Sequence, residues 1–301
     1  MITLLDGGLG QELVARSGDA PTPLWSTQVM IDHPGLAQGL HADYFAAGAS
    51  LATTNSYALH HDRLIRAGID ERFDGLFAQA LDEACGACAA HGRGAVAGSL
   101  GPLVASYRPE TLPPHAEAVA RYAEVAAILA PRCAVLLAET VASLAHARAV
   151  IEGAAGAARA HGRALWLAVT VMDEDGTRLR SGEALADLAT LDLPDAVLVN
   201  CAPPEAIDAA IPILATLGRP FGAYANGFTH IAPAFLKDSP TVAALTARSD
   251  LTPEVYADFA LRWVAQGATI VGGCCETTPA HIAEIARRLA AAGHQITEGA
   301  P

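Results

Sequence analysis

Apolar residues along this chain gather in short, nearly unbroken runs, separated by longer stretches with helical spacing. The runs are Ile2–Gly8, Ala49–Tyr57, Gly94–Pro102, Cys133–Thr140, Ala164–Val171, Asp195–Cys201, Pro220–Asn226 and Ala268–Cys275. Continuous rather than alternating apolar runs are what parallel strands need when both faces are covered. Between them, the spacing predicts helices over 34–47, 71–91, 115–132, 141–161, 184–192, 203–217, 252–266 and 278–293. Eight strands and eight helices in strict alternation predict an α/β fold, a (β/α)8 TIM barrel. A doubly wound open sheet also alternates strand with helix, but no glycine-rich dinucleotide fingerprint follows any of these strands.

The joints agree with closure. Helix-to-strand connections are short and carry Gly48, Gly92, Gly162, Gly218 or Gly267, the residue type that ends a helix in the left-handed conformation. The long connections follow strands, at 103–114, 172–183 and 227–251, where a barrel keeps its active site. No linker or low-complexity segment interrupts the pattern, so residues 1–301 read as one barrel domain with 294–301 as a frayed tail.

Composition narrows the function. The 301 residues are 52% hydrophobic, enough for one large core. A net charge of −13 argues against electrostatic binding to nucleic acid or to an anionic membrane. There is no basic, apolar leader and no run of about 18 apolar residues, so a cytoplasmic location is expected. Six cysteines in a chain of this length are no disulfide scaffold. In a reducing compartment they more often mean metal or catalysis.

Three of those cysteines end strands: Cys201 after Ala196-Val-Leu-Val-Asn, and Cys274-Cys275 after Ala268-Thr-Ile-Val-Gly-Gly. Strand ends in a barrel converge, and three thiolates with an open fourth position describe a catalytic Zn²⁺ site that binds another thiol. Gly272 and Gly273 would let the backbone approach closely enough for both adjacent cysteines to face one ion. Read singly, a cysteine is as well explained as a small core residue. Other polar residues share the same rim: Asp6, Thr53, Tyr57, Ser99, Glu139, Thr170, Asn200 and Asn226. Glu139 would pair with a substrate ammonium, or complement the dipole of the helix that follows. Asp6 precedes two glycines and also suits a turn. Tyr57 also suits packing.

Together these residues resemble the homocysteine S-methyltransferase family, from Asp6-Gly-Gly to Gly272-Gly-Cys-Cys275. The resemblance implies a zinc-bearing barrel in which Cys201, Cys274 and Cys275 hold the metal and carry catalysis. It implies that Asp6, Gly7, Thr53 and Glu139 bind the amino-acid part of homocysteine and that Tyr57 lies near the methyl donor. Two departures stand out: the loop Ser99–Pro109 matches only in part, and Glu276 stands where glycine is common. With no cobalamin or folate module after the barrel, the expected donor is a small sulfonium such as S-methylmethionine. Betaine or S-adenosylmethionine as donor, and another thiol or selenol as acceptor, remain alternatives. The partners expected are these small molecules alone.

Two other classes fit less well. A barrel metallohydrolase would want imidazole and carboxylate ligands, and no His-x-His ends a strand. A non-catalytic zinc- or thiol-binding barrel would want a closed four-ligand site. Cys85 and Cys88 lack the strand-to-helix turn of a redox motif, and Cys133 opens a strand at the far rim. His60 and His61 read as solvated loop residues before a fourth zinc ligand, and Trp25, Trp166 and Trp263 as packing, although Trp25 in the first loop could reach the top face.

Overall fold

The computed structural model describes residues 1–237 and 241–299. Its strands are β1 (Thr3–Leu4), β2 (Leu51–Thr53), β3 (Ala95–Leu100), β4 (Val135–Val141), β5 (Ala164–Val169), β6 (Ala196–Asn200), β7 (Phe221–Ala225) and β8 (Ile270–Gly273). All seven neighbouring pairs are parallel, in the order β1-β8-β7-β6-β5-β4-β3-β2. The remaining gap is bridged by a parallel contact of Leu5 with Leu51, where Asp6 N donates to Leu51 O at 3.0 Å. Closure rules out the doubly wound sheet.

Period-two alternation sorts the strand residues into two cores. Leu51, Ala97, Val135, Leu137, Trp166, Ala168, Ala196, Leu198 and Ile270 fill the barrel interior. Their neighbours Leu136, Ala138, Leu167, Val197, Val199 and Val271 pack outward into the larger core beneath the helices. Both faces are thus apolar, which is why the strands read as unbroken runs.

The helices are α1 (Leu9–Ser17), α2 (Ser26–Asp32), α3 (Leu36–Ala46), α4 (His61–Ala67), α5 (Phe73–His91), α6 (His115–Leu129), α7 (Leu144–His161), α8 (Pro204–Leu214), α9 (Pro253–Ala265) and α10 (Pro279–Ala291). Three of them, α1, α2 and α4, lie in the connections after β1 and β2, where no helix is predicted. The helix expected over 184–192 is instead a 3₁₀ segment, Leu185–Thr190. Its buried leucines, Leu185 and Leu188, are three apart, the repeat of the tighter helix.

The tail departs from expectation too. Ile2 N donates to Gln295 O at 2.8 Å, Thr297 N to Ile2 O at 2.9 Å, and Gly94 N to Glu298 O at 2.8 Å. Residues 295–298 therefore brace the barrel floor rather than fray; residues 300 and 301 lie outside the described residues. Among the described residues no helix is long and apolar enough to cross a membrane.

Candidate active site

The inward register that packs the barrel continues to its C-terminal mouth. Two residues beyond the last apolar layer it presents Thr53, Ser99, Glu139, Thr170, Asn200 and Tyr224. On the eighth strand the same step leads from Ile270 to Gly272, and a second one to Cys274. The site is therefore where the strand alternation runs out of apolar residues.

Cys201, Cys274 and Cys275 converge there, with all three sulfurs within 4.8 Å of one another. The Cys274 and Cys275 sulfurs are 4.0 Å apart. Tetrahedral coordination at the usual zinc–sulfur distance separates ligand sulfurs by about 3.8 Å, so this donor set fits such an ion. Cys201 and Cys274 are joined as a disulfide and Cys275 is free. Their Cα atoms are 5.8 Å apart, within disulfide span, so the convergence that suits a shared metal also suits pairing. Burial pushes the Cys275 thiol up to about 12, with the charges of Glu276 and Glu139 adding to the effect. Glycines make the convergence possible: a Cβ on Gly273 would lie 2.0 Å from Thr277 Oγ1, and one on Gly7 2.7 Å from Thr277 O.

Two buried carboxylates face the same cavity. Thr53 holds Asp6 through its backbone N (2.7 Å) and its Oγ1 (2.9 Å). Burial nevertheless raises the Asp6 carboxyl from 3.8 to about 7; the two Thr53 bonds oppose this and the Glu139 charge adds to it. Glu139 spans the mouth, accepting from Ser99 Oγ on β3 and from Tyr224 OH on β7 (3.1 Å). Burial raises its carboxyl as well, against those two bonds. No Lys, Arg or His side chain lines this cavity of about 100 Å³ among the described residues. Two acids and three cysteines without a cation make a site that calls for positive charge.

A bulge aims Glu139. The β4–β5 register slips between Ala138 and Val141, and Thr140 takes a left-handed φ of 57°. Asn200 fixes the distortion: its Oδ1 accepts from Thr140 N at 2.9 Å and its Nδ2 donates to Thr140 Oγ1 at 3.1 Å. Every non-glycine residue with positive φ among those described (Trp25, Val104, Tyr107, Thr140, Cys201 and Glu276) lies on this rim or its loops. Strained backbone of this kind collects at functional sites.

Apolar loop residues roof the sulfurs. Tyr107 from the third connection and Phe228 and Ile231 from the seventh cluster with Cys201 and Cys275, with Trp25 and Phe235 packed against them. Tyr57 stands at the cavity wall, its OH bonded to Ser106 Oγ at 2.7 Å and its ring edge-on to Trp25. Trp25 thus reaches the top face and lines the site, while Trp166 and Trp263 are fully buried in the core. Thr54 and Asn55 also line the cavity but spend their side-chain oxygens on its frame: Ser99 N donates to Thr54 Oγ1 (3.0 Å), Ser26 to Asn55 (2.6 Å), and behind them Ser56 donates to Ser99 O (2.8 Å).

Sequence reasoning missed Tyr224, although it sits two residues before Asn226 in the inward register. It missed Gln11, which lines the cavity with both side-chain polar atoms buried and unpartnered among the described residues. His60 is buried, not solvated; it donates from Nε2 to Gly101 O at 2.9 Å and sits outside the cavity lining. His61 stays at the surface with Asp70. Cys85 and Cys88 are half-buried on α5, and Cys133 is core.

The comparisons agree with this geometry. The family model described as homocysteine S-methyltransferase matches residues 3–289. The chain is 31% identical over 310 residues to the homocysteine S-methyltransferase of Escherichia coli (strain K12), covering 95% of each. It is 24% identical to a selenocysteine Se-methyltransferase of Brassica oleracea var. italica, over 95% of this chain and 88% of that one. Among solved structures it resembles the metallated form of the homocysteine methyltransferase MmuM from Escherichia coli, with a TM-score of 0.78 and 28% identity over 95% of this chain and 96% of that one. An oxidised form of that protein matches with the same score.

Proposed function

We infer the reaction from a plain premise: the chain belongs to the homocysteine S-methyltransferase family, an enzyme family of methyl transfer to homocysteine. The reaction we propose moves a methyl group from S-methylmethionine to the sulfur of homocysteine, giving methionine, with Zn²⁺ held by Cys201, Cys274 and Cys275. The observation that carries this reading is one cavity holding three convergent sulfurs and two buried, cation-free carboxylates. An ω-thiol amino acid matches both halves, with sulfur toward the cysteines and ammonium toward the acids.

The metal supplies Lewis acidity that keeps the acceptor sulfur a thiolate at neutral pH. Holding it requires the reduced trio, since a disulfide sulfur has no thiolate to offer. Glu139 and Asp6 would share the homocysteine ammonium, which relieves the burial that now raises both carboxyls. Thr53 keeps Asp6 in place, and Gly7 lets the chain next to it pack against Thr277 and Tyr44, where a Cβ would clash. Tyr57 and the apolar roof would exclude water around the donor methyl. The acceptor sulfur then forms a bond to the methyl carbon as the donor's carbon–sulfur bond breaks. The electron pair leaves on the donor sulfur, and the acceptor's thiol proton goes to solvent. No covalent enzyme intermediate is needed, so the acceleration comes chiefly from orientation and from the lowered thiol pKa.

The selenocysteine methyltransferase relative supports a selenol as a second acceptor of the same chemistry. The test is methionine formation by reduced, zinc-loaded protein given homocysteine and S-methylmethionine, with and without a chelator. Chelator-sensitive methionine is expected. A chelator-insensitive rate would remove the metal from the proposal, and no methionine from fully metallated protein would remove the donor.

A further inference from the structure

A second, larger cavity of about 410 Å³ opens beside the sulfur cavity, and Trp25, Tyr57, Ser106, Phe235 and Val242 line both. Its polarity is reversed. Among the described residues, Arg63, Arg66, Arg72, Arg108 and Lys237 line it and no Asp or Glu does, in a chain whose net charge is −13. Arg108 is engaged with Glu110 at 2.8 Å. Arg63, Arg66 and Arg72 have no ion-pair partner among the described residues. The nearby carboxylate of Asp62 is taken by Arg121 at 3.0 Å.

Arg63 is placed as an anchor. It is half-buried, one turn into the short helix after β2, with its guanidinium over the Tyr57 ring, 5.8 Å from the centroid. One terminal nitrogen donates to Pro102 O at 3.0 Å, while its Nε is buried and unpartnered. Thr22 Oγ1, in the same wall, is likewise buried and unpartnered. A buried guanidinium N–H without an acceptor costs stability unless something fills it. Two buried unpartnered donors beside the charges of Arg63, Arg66 and Arg72, with no acid facing them among the described residues, select an anion.

We propose that this cavity binds the carboxylate of the methyl donor, with Arg63 as its chief contact and Arg66 and Arg72 as the cationic rim. The inference rests on the onium-donor reading above and deepens it. Acid inside and base outside orient a zwitterionic donor, with its onium methyl toward the sulfurs and its carboxylate outward. The arrangement selects donors whose carboxylate is separated from the onium centre by several bonds, as in S-methylmethionine, over compact ones such as betaine.

The test compares S-methylmethionine with trimethylsulfonium, which has the onium but no carboxylate. The readout is the ratio of their kcat/KM values in wild type, Arg63→Gln and Arg63→Lys. Arg63→Gln should lower the ratio about tenfold or more, and Arg63→Lys should recover part of it. Arg66→Gln with Arg72→Gln, at exposed positions clear of the Pro102 bond, should lower it about two- to threefold. An unchanged ratio in Arg63→Gln, or equal losses with both donors, overturns the proposal. Calorimetric binding of malonate to the zinc-loaded protein decides the matter independently of turnover. Weaker binding to Arg63→Gln upholds the anion site even if neither donor is used, an outcome that would instead retire the donor reading. Equal binding overturns the site.

Discussion

Asp6 shows what burial does to a single carboxyl at the site. Its carboxyl is held near 7 in the folded protein against 3.8 for an ordinary aspartate, chiefly by burial. Between those values the folded state binds the extra proton. Asp6 therefore favours folding most below pH 3.8, and that contribution is lost as pH rises through about 7. Asp6→Asn keeps a polar partner for Thr53 but cannot titrate. The stability of wild type relative to this variant should fall by up to a few kcal/mol between pH 4 and pH 8. Denaturant unfolding at the two pH values measures it, and a pH-independent difference would mean the carboxyl is ionised throughout. Homocysteine binding should restore the charge by supplying the ammonium. Glu276 gives a second test at this scale. It stands where the family resemblance leads one to expect glycine, and its φ of 65° gives the reason. Glu276→Gly should be more stable than Glu276→Ala by about 1 kcal/mol, since both delete the carboxylate and only glycine escapes the left-handed penalty. Equal stabilities would indicate that the segment relaxes out of that conformation.

At the scale of elements, the eight β/α units are legible because strands buried on both faces lose their alternation and become unbroken apolar runs. What is not legible lies in the loops. The helices α2 and α4 are seven residues long, and α1 buries only Leu13, so none carries enough periodic signal to be read. The cysteines and acids could be placed because strands deliver them to one rim. Arg63 and Thr22 could not, because a seven-residue helix and a loop bring them together, and a non-glycine residue in left-handed backbone carries no mark in the sequence. The β4 bulge belongs to this illegible set, and it depends on a residue on another strand. Asn200→Ala would leave Thr140 N–H buried without its partner, costing about 1–3 kcal/mol, and would loosen the turn that aims Glu139. The expected signature is a lower unfolding midpoint together with a raised KM for homocysteine. A stability loss with an unchanged KM would show that Ser99 and Tyr224 suffice to position the carboxylate.

Across the whole molecule, the site is where three incomplete systems meet. The sulfur trio calls for a metal cation, the two acids for an ammonium, and the outer cavity for an anion. Each deficit costs folding stability and each is a ligand's binding energy in waiting. The trio is the one whose completion is reversible by chemistry on the protein itself, because Cys201 and Cys274 can pair with each other. Pairing closes a loop of 73 residues and by itself stabilises the chain by roughly 4 kcal/mol, so the effect of metal has to be measured within one oxidation state. In the reduced protein, zinc at a thousandfold excess over its dissociation constant adds about 4 kcal/mol. In a chain of this size that corresponds to a rise of roughly 6 °C in the unfolding midpoint. The oxidised protein has only Cys275 left to offer and should show almost no shift. Calorimetric scans of reduced and oxidised protein, each with and without zinc, measure both. An equal shift in the two states would place the metal away from these cysteines, whereas a shift confined to the reduced state, and reversed by a chelator, ties metal, thiols and fold together.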